Sequence, residues 1–80
     1  MVTMDYKQIL TDIARAIVDT PEEVKVEETV EENEVKLTLT VAPDDTGMVI
    51  GRHGKIAKAI RSVMKVAGNK EGKHITVEIE

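Results

Sequence analysis

The sequence predicts an α+β fold with the element order αββααβ, a three-stranded mixed sheet carrying its helices on one face. Three observations predict it. Apolar residues recur at helical spacing in two separated segments, one near the N-terminus and one after residue 55. Two alternating apolar/polar runs lie back to back between residues 24 and 41. A last alternating run closes the chain after a helical pair. That connection is a right-handed crossover, so the closing strand runs parallel to the second.

Each element has its own signal. Asp5 is placed to cap the first helix, with Gln8 three residues on to complete a capping box. Tyr6, Ile9, Leu10, Ile13, Ala14 and Ile17 form one apolar stripe. Thr20-Pro21 stops the helix, because a residue before proline is pushed out of the helical region. Val24, Val26 and Val30 alternate with charged and polar residues, with a lapse at Glu28, and Asn33 sits in a turn. Val35, Leu37, Leu39 and Val41 then alternate with Lys36, Thr38 and Thr40, so the two runs form an antiparallel hairpin. Ala42-Pro43-Asp44-Asp45 breaks the pattern, and Asp45 or Thr46 is placed to cap a short apolar helical turn over Thr46-Gly47-Met48-Val49-Ile50. After Gly51-Arg52-His53-Gly54 a longer helix runs from Lys55 to about Ala67, ended by Gly68-Asn69. Ile75, Val77 and Ile79 alternate in the closing strand.

Eighty residues are the length of one domain, expected to span 1–80. A chain of this size buries only about 60% of its unfolded surface, so its core is modest. Without cysteine there is neither a disulfide framework nor a thiolate zinc site. No apolar run reaches the ~18 residues of a membrane span, and the start Met1-Val2-Thr3-Met4-Asp5 lacks a basic region followed by an apolar one. The expectation is a soluble, cytoplasmic protein. The net charge of −4 conceals an asymmetry. Residues 1–46 carry four Lys/Arg against twelve Asp/Glu, a balance of −8; residues 47–80 carry seven against three, a balance of +4. Local positive charge attracts polyanions whatever the total.

On a helical wheel of 100° per residue, Ile56, Ala57, Ile60, Val63, Met64 and Ala67 share one arc, and Lys55, Lys58, Arg61 and Lys65 share the opposite one. Arg52 lies just before them. The plain alternative is an amphipathic helix with a solvated face. Such faces normally mix both signs, and Arg61 and Lys65 are instead a like-charge i,i+4 pair, which is mildly destabilising. A run of cations without one acid is better explained by a polyanionic partner.

The loop sharpens this reading. Two glycines three apart permit a tight turn with positive φ and remove the side chains that would hold a phosphate away from backbone N–H groups. The helix that follows offers free amides and the positive end of its dipole. Arg52 and Lys55 add charge beside that spot. A bare G-x-x-G is common, however, and also serves as a simple helix–helix turn.

Context changes the balance. The stretch from Val49-Ile50 through Gly51-Arg52-His53-Gly54 to Lys55-Ile56-Ala57-Lys58-Ala59-Ile60-Arg61 resembles the signature of KH domains. The αββααβ order matches their type II arrangement, and nearly all of the chain is similar to the small bacterial KhpA family, including Val18-Asp19-Thr20-Pro21-Glu22-Glu23-Val24 and Ile75-Thr76-Val77-Glu78-Ile79. His53 departs from the Gln expected there. KH domains clamp about four nucleotides of a single strand with this loop. The resemblance therefore implies single-stranded RNA as ligand. Gly51 and Gly54 would shape the loop, the amides of Arg52 and His53 would meet phosphate, and Arg52, Lys55, Lys58, Arg61 and Lys65 would line one side of the groove. It also implies an RNA chaperone or post-transcriptional regulator, acting in cell-wall homeostasis and cell shape beside a larger KhpB-like KH protein. One groove binds weakly, so a homodimer or such a heterodimer is expected.

The remaining residues point elsewhere only faintly. His53 and His74 lack partners at metal spacing, and no cofactor motif or G-x-x-x-x-G-K-[ST] loop is present. Asp44-Asp45 reads as a capping loop, and Met48 and Met64 as core filler. Tyr6 is the sole aromatic, so base stacking does not drive affinity. No nucleophile–base pair suggests an enzyme. The competing class is a KH-fold interaction module, kept for dimerisation, with a vestigial loop.

Overall fold

A computed structural model describes residues 5–80. The segment Met1–Met4, and with it the beginning of the expected 1–80 domain and the start of the chain read above, lies outside the described residues. Helix α1 spans Tyr6–Ile17, strands β1 and β2 span Lys25–Glu31 and Glu34–Thr40, the short helix α2 spans Thr46–Ile50, helix α3 spans Lys55–Asn69, and strand β3 spans His74–Ile79. Single 3-10 turns at Pro21–Glu23, Pro43–Asp45 and Arg52–Gly54 join them. The expected αββααβ order and the α+β class hold.

The sheet order is β1-β2-β3, with β1 antiparallel and β3 parallel to β2. The pleat sets the register. Val26 faces Leu39, Val35 faces Ile75 and Leu37 faces Val77, so one face of the sheet is apolar. The helices cover that face; Leu37 and Leu39 of β2, Leu10 of α1 and Met64 of α3 are wholly buried together. Each such side chain contributes about 1.5–3 kcal/mol on leaving water. The other face carries Lys25, Glu27, Thr29 and Glu31 beside Thr40, Thr38, Lys36 and Glu34, and it is largely exposed.

Several local readings change. Asp5 does cap α1, accepting from Gln8 N–H at 3.1 Å, but Gln8 does not answer it; its amide donates forward to Asp12 Oδ1 at 2.8 Å, so the capping box is half formed. Asp45 caps nothing. It is buried, and its Oδ2 accepts from Thr20 N–H at 2.9 Å, tying the exit of α1 to the start of α2. Gly68 does not end α3 but lies buried within it, because a Cβ there would sit 2.7 Å from Ile75 Cγ1 and 2.8 Å from Lys73 O. The left-handed glycine that turns the chain toward β3 is Gly72, at φ 70. Val30 is 54% exposed on the edge strand β1, although its cross-strand partner Val35 is buried.

Candidate nucleic-acid interface

The loop 51–54 is built by three positive-φ residues: Gly51 (φ 74, ψ 175), His53 (φ 58, ψ 24) and Gly54 (φ 74, ψ 15). The two glycines serve different ends. A Cβ on Gly51 would clash with the Ile56 side chain, lying 2.9 Å from its Cβ and 3.0 Å from its backbone N. A Cβ on Gly54 would meet nothing within 4 Å. Gly51 is thus required by packing as well as by conformation. Gly54 supplies left-handed backbone and leaves the surface beside the α3 N-terminus bare. His53 tolerates the left-handed region better than most residues.

Three hydrogen bonds close the loop: Gly51 N–H to Gly47 O at 2.8 Å, Gly54 N–H to Gly51 O at 3.2 Å, and Lys55 N–H to Arg52 O. The Arg52 and His53 amides lie outside these three bonds, at the positive end of a 15-residue helix. That is the arrangement an anion needs.

Arg52, His53, Lys55, Lys58, Arg61 and Lys65 are all exposed, and Gly51 and Gly54 are half-buried. Lys55, Lys58, Arg61 and Lys65 share one side of α3 by helical spacing, and residues 51–54 form the loop just before it. Among the described residues no ion pair links these cations to a carboxylate; the Lys36–Glu78 ion pair at 3.3 Å and the His74 Nδ1–Glu34 Oε1 contact at 3.8 Å lie on the outer face of the sheet. Arg61 differs from the lysines. Its Nε donates to Val77 O at 3.2 Å, fastening the guanidinium to β3 at the sheet edge.

The apolar side of α3 needs correction. Ala57, Ile60, Met64 and Gly68 are its buried line, whereas Ile56 is 38%, Val63 52% and Val66 59% exposed. Met48, expected as core filler, is also 38% exposed, as is Ile50. Ile50, Met48 and Ile56 therefore flank the loop as accessible apolar surface. Periodicity assigned Ile56 to the core side; the exposed signal is visible in the sequence only as an apolar stripe wider than one helix face needs.

A family model described as the KhpA/KhpB KH domain matches residues 7–79. The chain belongs to the KhpA/KhpB KH-domain family. Similar KhpA/KhpB-family proteins include RNA-binding protein KhpA of Clostridium acetobutylicum, 53% identical over 91% of this chain and 97% of that one. RNA-binding protein KhpA of Clostridium perfringens is 49% identical over the same shares. RNA-binding protein KhpA of Treponema pallidum is 40% identical over 99% and 98%. These relatives are named as RNA-binding proteins rather than as enzymes. No solved structure matches the chain. Among the described residues, no helix is long and apolar enough to cross a membrane, and no cluster of three or more His, Cys, Asp or Glu is arranged to hold a metal.

Proposed function

We infer that this chain is a non-enzymatic, single-KH-domain protein of the cytoplasm that grips single-stranded RNA through the Gly51–Gly54 loop and the basic side of α3. The observation that carries this reading is the set of exposed cations, none of them in an ion pair among the described residues, beside a loop whose two central amides take no part in closing it. Phosphate enters at the Arg52 and His53 amides. Lys55, Lys58, Arg61 and Lys65 continue the track, and Ile50, Met48 and Ile56 offer apolar surface to bases in place of aromatic stacking. The relatives' name, RNA-binding protein, supports the same ligand class. In the cell the protein serves as an RNA chaperone or post-transcriptional regulator, with cell-wall homeostasis and cell shape as its setting.

A groove for about four nucleotides is a weak binder, and a second groove raises avidity by ~10²–10⁴. The chain obtains that groove as a homodimer or beside a larger KhpB-like KH protein. The exposed Val63 and Val66 support an apolar contact of this kind. If assembly were the sole role, the loop would be vestigial, and the same experiment separates the two readings. Replacing Arg52 and His53 together by Asp places two negative charges where phosphate sits. Loss of binding to single-stranded RNA with an unchanged melting curve is the expected result; undiminished binding overturns the assignment. The wild-type log K should also fall with log salt at roughly −0.7 per phosphate contacted. Light scattering at micromolar concentration reads the assembly.

A further inference from the structure

His53 stands in the loop that the reading above sets against phosphate. Histidine is the side chain whose protonation changes between about pH 5 and 8. His53 is exposed and held in the left-handed conformation between Arg52 and Gly54. The elements packed against the loop are α2 and α3. Helix α2 contains no titratable residue; α3 contains Lys55, Lys58, Arg61 and Lys65 and no acid. The nearest acids in sequence are Asp44, which is exposed, and Asp45, whose carboxylate is turned inward onto Thr20 N–H. The other histidine, His74, has Glu34 Oε1 at 3.8 Å on the outer sheet face. No ion pair of that kind reaches His53 among the described residues.

We propose that the His53 imidazole is a proton-linked phosphate ligand, so that RNA binding by this chain takes up a proton. The proposal rests on the loop gripping RNA as read above. A neutral imidazole presents one N–H donor and one acceptor nitrogen, and the acceptor has nothing to receive from a phosphodiester. Imidazolium presents two donors and a positive charge. A phosphate beside it favours the charged form, and among the described residues no ion pair with a carboxylate does so already. Linkage then makes the effect reciprocal: proton raises affinity for RNA by the factor that RNA raises affinity for the proton. Lysine and arginine as residue types do not change charge between about pH 5 and 8, so they are not the source of such a dependence. The position also carries a natural control, because the Gln expected there by resemblance is a neutral donor at every pH.

The test is fluorescence anisotropy of the full chain with a short uridine-only RNA, whose bases and phosphodiesters do not titrate in the range used. Wild type, His53→Gln and His74→Gln are compared at about pH 6 and about pH 8 and constant ionic strength. Wild type and His74→Gln are expected to bind about three- to tenfold tighter at the lower pH. Their salt slope should be steeper there by about 0.7. His53→Gln is expected to bind with equal affinity at both. A flat wild type, or full pH dependence retained in His53→Gln, overturns the proton linkage while leaving RNA binding intact. Absence of binding at both pH values overturns the RNA reading itself, and the inference with it.

Discussion

Arg61 and Val77 are joined across the seam between helix and sheet: the guanidinium Nε of the first donates to the main-chain carbonyl of the second at 3.2 Å. An edge strand presents unpaired carbonyls, and here a cation from the proposed RNA track satisfies one of them. Arg61 therefore has a structural part besides its proposed place in the RNA track, whereas Lys58, one turn earlier and exposed, is proposed for the track alone. Arg61→Ala should lower RNA affinity and also stability, the latter by about 1 kcal/mol. Lys58→Ala should lower affinity alone. Paired titrations and thermal melts distinguish them, and equal melting temperatures would show that the bond to Val77 contributes nothing.

The two loop glycines should separate in the same way. Gly51→Ala meets Ile56 and leaves a backbone region that is nearly glycine-only, so it should cost roughly 2 kcal/mol or more. Gly54→Ala meets open space and should cost about 1 kcal/mol from conformation alone. Its methyl group would stand beside the proposed phosphate position, so affinity should fall further than stability does. A Gly54→Ala variant with wild-type affinity would place the phosphate elsewhere.

Asp45 should matter more than an ordinary acid in an acidic half-chain. It is 3% exposed and holds Thr20 N–H. Asp45→Ala leaves that donor without its partner and should destabilise by about 1–3 kcal/mol. For a domain of this size each kcal/mol lowers the melting temperature by about 4–8 °C. Asp45→Asn keeps an acceptor and should cost less. Identical melts for Ala and Asn would show that the hydrogen bond is not what the residue supplies.

Tyr6 gives a signature at alkaline pH. Burial, then the hydrogen bond to Glu71, then the Glu71 charge, push its hydroxyl up from 10.0 to about 12. The native state thus keeps a proton that the unfolded chain releases first. The associated stability is complete below about pH 10 and is lost as pH rises toward 12. Denaturant melts of wild type should weaken across that window more than those of Tyr6→Phe, which has no proton to lose. Parallel curves would show that Tyr6 ionises alike in both states.

Much of this was legible in the residues. Strand and helix patterning is a local property, so the alternation of Val35, Leu37 and Leu39 and the stripe from Tyr6 to Ile17 sufficed to order the elements. The parallel placement of β3 followed from chain connectivity. The cations of α3 were equally visible, because their spacing puts them on one side of any helix.

What tertiary structure decided is which part of each pattern meets a neighbour. A wheel shows that Ile56, Ala57, Ile60, Val63 and Met64 share an arc, but not where along that arc the contact lies. Packing settles on Ala57, Ile60, Met64 and Gly68, because the absent side chain of Gly68 lets α3 approach Ile75 closely. That seating leaves Ile56, Val63 and Val66 in water. The inward turn of Asp45 onto Thr20 joins residues 25 apart, and the bond from Arg61 to Val77 joins residues 16 apart. Neither has a periodic signature. Local chemistry wrote the elements and the loop, and the close approach of separate segments chose which polar groups hold them together and which apolar ones remain open to a partner.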